Sequence, residues 1–572
     1  QVVSLCFCLQ RGGGAMPPYD SAPTESDVLP SVDEACDCSS DCLGDYTTSG
    51  KGCGASQQEP VEGTAASLAS RWLRLILCAA WLVFVSVACW RNFHRAWRLV
   101  LFTFIALSGM LWCTLASAFE WNAAATVNRI FFQRLQERPR VVAWTQGVLA
   151  VAAFACWLVV DVWSDAYRLV PVGGLLLLIA GTFAASKHRG DVVWKPVLSG
   201  VALQLVLGVV IMRTSVGFEV FRWLGEQVSG FLDHIEAGSS FVFGDDYETF
   251  LFAFKVLPMI IYFGAVISML YYLGWLQVIF ISVARVVQFV MGTSATESFV
   301  AVSNIFLGDA PLLVKPFLAD LTVAELHALL TCNFATIAGS VMGAYISFGV
   351  PAQHLIAASV MSCPAALAVA KLSFPETEQV RVKLENIQSI AESTKGRGDC
   401  SIFDAAASGA IGAVALVANV AAALIAFLSI WSLLNSAVAA AGRMVDIDGL
   451  SIELVVSYLF WPLAFMMGVP PDDCLRVGRL LGEKTFINEF VAYRRLADFI
   501  DEGVLSRRSE VVATYALCGF SNVGSIGVQL GALNALAPER REDVAGCVVR
   551  AMINGCVACF MTACVAGMLY KD

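Results

Sequence analysis

The chain has 572 residues, of which 58% are hydrophobic and 15% charged, and its mean hydropathy is +0.70. A soluble domain carries roughly 25% charged residues, so a single water-soluble globule is excluded, as is disorder over most of the length. The formal charge of −10 is concentrated at one end, because residues 1–66 hold ten acids and two bases, and no basic footprint for nucleic acid remains.

Residues 1–66 read as a disordered acidic tail rich in Gly, Pro, Ser, Asp and Glu. Six of the 19 cysteines lie there, at 6, 8, 36, 38, 42 and 53. They lack paired C-x2-C spacing and a nearby His, so a zinc site is not expected. Met16 reads as a candidate start, and no signal peptide is expected before the first apolar run.

Crossing a bilayer takes about 20 apolar residues. Uncharged runs of that order fall at 75–90, 99–119, 141–160, 169–186 and 196–212, then at 256–284, 326–370, 405–442, 454–471, 511–538 and 551–570. The run 326–370 is too long for one crossing and should divide at Gly349-Val350-Pro351. Consecutive loops are basic, as at Arg91/Arg95/Arg98 and Arg134/Arg138/Arg140, so charge alone leaves orientation undetermined. The expected organisation is a tail over 1–66 and transmembrane helices over 67–215. An interfacial helix and a first set of apolar segments follow over 216–373, then a polar linker over 374–404. A second set of apolar segments occupies 405–572.

Within 218–235, Phe218, Phe221, Leu224, Val228, Phe231 and Ile235 recur at helical spacing opposite Glu219, Arg222, Glu226, Asp233 and His234. That pattern suits a helix lying in the membrane interface, or a surface helix packed on the bundle. The run 298–308 is uncharged but too short to cross, lies between Glu297 and Asp309, and is followed by Pro311 and Lys315. A re-entrant hairpin fits it. The segment around Asn488-Glu489 looks the same. An ionisable group inside a membrane is costly and reads as functional, whereas the bland reading of Glu489 is a loop carboxylate in water. Asn522 and Ser525 lie in an uncharged stretch with Gly519, Gly524, Gly527 and Gly531. Such a helix can break and expose its N–H and C=O groups, or it can merely pack closely through its small residues.

The two halves echo each other. Asn304-Ile-Phe306-Leu-Gly308 pairs with Asn488-Glu-Phe490-Val-Ala492, and Phe334-Ala-Thr336-Ile-Ala-Gly339 with Phe520-Ser-Asn522-Val-Gly-Ser525. Interrupted apolar segments at matching places in two halves point to a transporter site near the midplane. Enzyme signatures fail. Gly478-Arg-Leu-Leu-Gly482-Glu483-Lys484-Thr485 is not a phosphate-binding loop, since Glu483 splits the Gly-Lys pair, and no H-E-x-x-H occurs.

These blocks, with Gly292-Thr-Ser-Ala-Thr-Glu297-Ser, Thr336-Ile-Ala-Gly-Ser340-Val-Met-Gly-Ala-Tyr345, Phe374-Pro-Glu-Thr-Glu378, Asn488-Glu-Phe-Val-Ala-Tyr493 and Ala516-Leu-Cys-Gly-Phe-Ser-Asn522, closely resemble the concentrative nucleoside transporter family over roughly 71–567. The resemblance implies an all-α polytopic membrane protein with an inverted repeat, two re-entrant hairpins and broken helices, forming a scaffold and a mobile transport domain. It implies a homotrimer in the plasma membrane that carries nucleosides by an elevator-like shift, coupled to sodium or alternatively to protons. The substrate site would comprise Glu489, Asn522, Ser525 and Phe520, with Gly308, Asp309 and Ser340 from the first half. The sodium site would use the Asn304 side chain and carbonyls near Leu307, Ala335 and Ile337, Ala335 offering only its backbone.

Two features depart from the family pattern. The first hairpin tip commonly reads Gly-Gln-Thr-Glu-small-Pro, whereas Gly308-Asp309-Ala310-Pro311 is two residues shorter. Asn333 stands where Gly is common. The short tip supports an alternative: a nucleoside-binding membrane protein that does not transport.

Overall fold

The computed structural model describes residues 83–87, 90–91, 103, 165–244, 246–247, 251–307, 314–382, 401–447 and 449–571. The chain divides into two units, one ending at Pro139 and one running from Arg140 to Asp572. In the first, residues 83–87 and 90–91 are helical, in and just past the apolar run expected at 75–90. The tail and the runs at 99–119 and 141–160 otherwise lie outside the described residues, as do Gly308, Asp309, Ala310 and Pro311.

Among the described residues of the second unit every regular element is helical. Its α-helices are α1 (Val170–Ala184), α2 (Trp194–Arg213), α3 (Ser215–Asp233), α4 (Ile235–Phe243), α5 (Leu257–Tyr272) and α6 (Trp275–Met291). Then come α7 (Ala295–Ser303), α8 (Val323–Ala335), α9 (Gly339–Ser347) and α10 (Ala352–Ser373). The second half holds α11 (Ile402–Met444), α12 (Ile452–Met466), α13 (Cys474–Phe486), α14 (Glu489–Asp501), α15 (Arg507–Leu517), α16 (Val523–Leu536) and α17 (Arg541–Leu569). Seven helical stretches among the described residues are long and apolar enough to cross a membrane. The order α5, α6, α7, α8–break–α9, α10 matches α11, α12, α13–α14, α15–break–α16, α17, which is the repeat the sequence echo suggested.

Three apolar runs are divided more finely than hydropathy implies. The run 256–284 is two helices, because Gly274 takes φ +80 and ends α5. The run 326–370 is three: the break at Gly349-Val350-Pro351 is present, and residues 336–338 add another. The run 511–538 opens between α15 and α16, where Gly519 sits at φ +143. Hydropathy sums over a window and does not register a single residue that changes backbone handedness.

Both short segments turn back on themselves. Asp473, just before α13, accepts bonds from the Ser506 N–H (3.0 Å), the Ser506 hydroxyl (2.8 Å) and the Ser509 hydroxyl (2.6 Å), all beyond α14. The chain that leaves along α13 therefore returns along α14 to its starting point. Burial pushes the Asp473 carboxyl up, but Ser509, Ser506 and the Arg476 charge outweigh it and hold it below the ordinary carboxylate range. The first hairpin closes likewise. Thr296 at the start of α7 donates to Glu325 at the start of α8 (2.9 Å), and both helices open with a capping box, Ser294/Glu297 and Thr322/Glu325. Lys371 on α10 joins this base through Glu297 (2.5 Å) and Glu376 (3.4 Å).

Burial separates the helices into two kinds. The apolar stretches through α8–α9, α10 and α17 are 83%, 83% and 89% buried, whereas α11 is 6% buried. At about 1.5 Å per residue, the 43 residues of α11 span roughly 65 Å, and α5 runs alongside α11 through Gly264 and Gly409. α3 has its polar pair Glu219–Arg222 exposed and Leu232 buried, as an amphipathic helix requires.

Candidate functional site

The hairpin tips meet the helix breaks. Asn488 caps α14 by accepting from the Val491 N–H (3.1 Å), which aims the next residue, Glu489, into the interior at 3% exposure. Asn522 caps α16, its side-chain oxygen accepting from the Ser525 N–H at 2.7 Å. Its amide nitrogen donates to Glu489 Oε2 at 2.8 Å. One asparagine thus terminates a helix and ties the second hairpin tip to the second break. The aqueous-loop reading of Glu489 and the close-packing reading of Asn522 both fail on this contact.

Around the carboxylate the walls are aromatic and polar. The Tyr345 hydroxyl lies beside Glu489, and the Tyr345 ring stacks on Tyr493 with centroids 4.2 Å apart. Tyr493 is fixed by donating to the Thr514 carbonyl (2.9 Å). Lys484, fully buried, donates to the Ala516 carbonyl at 2.9 Å and supplies a cation facing Glu489. A buried carboxylate with a compensating charge can grip a pair of vicinal hydroxyls by charge-assisted bonds.

The first tip meets the first break in the same manner. The Asn304 amide nitrogen, just past α7, donates to Asn333 on α8, and the Gly339 N–H at the start of α9 donates to the Phe306 carbonyl (3.1 Å). Asn304 is 1% exposed and its side-chain oxygen has no partner. Because a helix end leaves carbonyls without helical partners, the 336–338 break supplies further oxygens next to this one. Neutral, hard oxygens in a dry setting are the donor set of an alkali cation, so these residues fit sodium.

The two breaks also touch each other. The Phe520 N–H donates to the Thr336 carbonyl (3.3 Å). Cys559 on α17 lies against both, its thiol 2.6 Å from the Cys518 carbonyl and 3.6 Å from that of Ala335. A cavity of about 630 Å³ is lined by Phe490, Val491 and Arg494 of α14, Phe348 at the end of α9, Leu257 of α5 and Leu424 of α11, among others.

Of the residues expected from sequence, Glu489, Asn522 and Ser525 are brought together, with Phe520 half-buried in the same break. Asn304 and Leu307 lie at the first tip, Ala335 ends α8, Ile337 lies in the first break and Ser340 in the first turn of α9. Gly308 and Asp309 fall outside the described residues. Sequence reading missed Tyr345, Lys484, Gln529 and Cys559. Lys484 alone carried a readable signal, a cation five residues before Glu489 in an otherwise buried hairpin.

Comparison with known proteins follows this geometry. Family models for the Na+ dependent nucleoside transporter N-terminus, nucleoside recognition (the Gate model) and the Na+ dependent nucleoside transporter C-terminus match residues 173–246, 253–352 and 354–567. The chain is 46% identical over 512 residues to solute carrier family 28 member 3 of Homo sapiens, covering 86% of this chain and 73% of that one. It belongs to the Na+ dependent nucleoside transporter family. Human sodium/nucleoside cotransporter 1 is 42% identical, covering 87% of this chain and 78% of its own. The structure of CNTnw in an inward-facing substrate-bound state is 32% identical with a TM-score of 0.66, covering 70% of this chain and 98% of that one. Outward-facing and intermediate states of CNTnw also align. The class is therefore a multi-pass membrane transporter and not an enzyme, and sodium is the family's coupling ion.

Proposed function

We propose that this chain drives nucleosides into the cell by sodium symport across the plasma membrane, with an elevator-like shift of one domain against another. The observation that carries the reading is Glu489, buried and held at 2.8 Å by Asn522 where hairpin tip and helix break converge. In this reading Glu489, Asn522 and Ser525 take the ribose hydroxyls. Phe520 and Ser340 flank the nucleoside, and Gly308 and Asp309 close it from the first hairpin. Sodium sits on Asn304 and on the carbonyls of Leu307, Ala335 and Ile337. Each charge moving inward gains about 2.3 kcal/mol per 100 mV, and ~1.4 kcal/mol corresponds to a tenfold gradient.

The moving body comprises both hairpins with α8–α10 and α15–α17. The frame comprises α5 and α11, assembled as a homotrimer. Supporting this division are the contrast in burial between α11 and α17 and the 630 Å³ cavity between α5/α11 and α9/α14. The domain limits at 66, 215, 373 and 404 belong to the same proposal. CNTnw has been solved inward-facing, outward-facing and between, as such a shift requires. The non-transporting reading rests on Gly308-Asp309 alone, and relatives named as cotransporters speak against it.

Uptake of labelled uridine and adenosine by cells displaying the protein, with and without external sodium, tests the proposal. Sodium-dependent accumulation of at least one is expected. Surface-displayed protein that accumulates neither would overturn it.

A further inference from the structure

Three carboxamides from three separate elements form a line through the interior. Asn304 of the first hairpin donates through Nδ2 to Oδ1 of Asn333 on α8. Asn333 in turn donates through its own Nδ2 to Oε1 of Gln529 on α16, at 3.2 Å. All three are at least nine-tenths buried, at 1%, 3% and 8% exposure. The oxygen of Asn304, at one end of the line, is buried without a partner.

A carboxamide is nearly symmetric in shape but not in chemistry, since one side donates and the other accepts. A line of three such groups satisfies itself equally well in either direction. Run one way, Asn304 turns an oxygen outward. Run the other way, each amide rotates by half a turn and Asn304 turns an NH2 outward, which repels a cation. Because each member dictates the orientation of the next, the first amide cannot reverse without the other two. A cation beside Asn304 selects one direction for the whole line.

We propose that Asn333 and Gln529 are positioning residues of the sodium site, forming an amide relay that holds the Asn304 oxygen toward the cation and reports its occupancy to α16. This rests on the reading of Asn304 as a sodium ligand. The far end matters for coupling. Gln529 lies on the helix whose N-cap, Asn522, grips Glu489. A sodium ion that orders the relay thereby stiffens α16 toward the first half, and a nucleoside that orders α16 favours the sodium-competent direction. Reciprocity of this sort is what thermodynamic linkage demands of any two coupled sites.

The test is the sodium half-saturation of nucleoside uptake in whole transporter reconstituted in vesicles. Asn333→Leu keeps the volume but removes both hydrogen bonds, and should raise half-saturation about fivefold or more. Asn333→Asp offers Asn304 only acceptors, which enforces the oxygen-outward direction, so half-saturation should equal the native value or fall below it. A packing role predicts the reverse, with Leu silent and a buried carboxylate disruptive, and that result overturns the proposal. If Asn333→Leu does not reach the membrane, Gln529→Leu decides: a rise of about threefold is expected, and no rise counts against the relay. Asn304→Leu separates the two levels. If it leaves sodium dependence untouched, the sodium-site reading itself fails. If it abolishes the dependence while the Asn333 and Gln529 variants behave as native, only the relay fails.

Discussion

Where the first hairpin tip meets the first helix break, between α8 and α9, the groups are neutral oxygens: the unpartnered Asn304 carboxamide oxygen and backbone carbonyls freed by the end of α8. At the second, between α15 and α16, the facing groups are the Glu489 carboxylate and the Asn522 cap, backed by Lys484. The scaffolding is repeated, and the chemistry is not. Each break is closed by a hairpin tip, each hairpin is clamped at its base, and an asparagine makes the joint in both. Among the described residues of the two tips, only Glu489 of the second carries a charge. In the proposed reading the duplicated backbone serves two ligands, a cation held by neutral oxygens and a sugar whose hydroxyls donate to a carboxylate.

The largest expected effect comes from removing the difference between the two. Glu489→Gln makes the second tip neutral while keeping its shape. Hydrogen bonds to a charged group contribute about 1.5–3 kcal/mol each, so nucleoside uptake should drop about 100-fold with surface display unchanged. Uptake within threefold of native would mean that the asymmetry of charge is not what separates the two breaks.

A smaller effect is expected where the breaks touch. Gly519 has φ +143, and a Cβ there would lie 2.7 Å from Cys559 Sγ and 2.7 Å from the Phe334 carbonyl oxygen. Gly519→Ala should cost about 2 kcal/mol and lower the melting temperature in detergent, whereas Gly527→Ala, with open space around it, should not. Equal melting temperatures for both would argue that the breaks are not held in contact.

Smallest is the effect at the bases. Asp473→Asn weakens the three-donor clamp of the second hairpin by about 1 kcal/mol and leaves the Glu297–Lys371 clamp of the first alone. Since the folded protein holds the Asp473 carboxyl below its ordinary range, its contribution is complete at neutral pH. It fades as pH falls through the acid range. The variant should therefore show a shallower loss of thermal stability on acidification than native protein, and an unchanged slope would remove Asp473 from the clamp.

Much of this arrangement can be read from residues in order. The pairing of Asn304 with Asn488 and of Phe334 with Phe520 marks the tips and breaks, because a short uncharged run bounded by charges cannot cross a bilayer. Glu489 stood out because a carboxylate in such a run is costly unless it is used. The capping boxes at Ser294/Glu297 and Thr322/Glu325 are S/T-x-x-E patterns in the sequence itself. Gly274 did not stand out, and the run it interrupts reads as one span.

Composition, periodicity and the two matched sets of motifs determined that the chain is an all-helical membrane protein with repeated interrupted segments, since the energetics of a bilayer act on short stretches and leave their mark locally. Which polar groups meet was decided by tertiary structure alone. Asn333 and Gln529 are 196 positions apart and Glu489 and Asn522 are 33 apart, and an amide or thiol within an apolar helix has no local pattern that names its partner. Only the folding of two hairpins onto two breaks sets the distances at which such groups become a site.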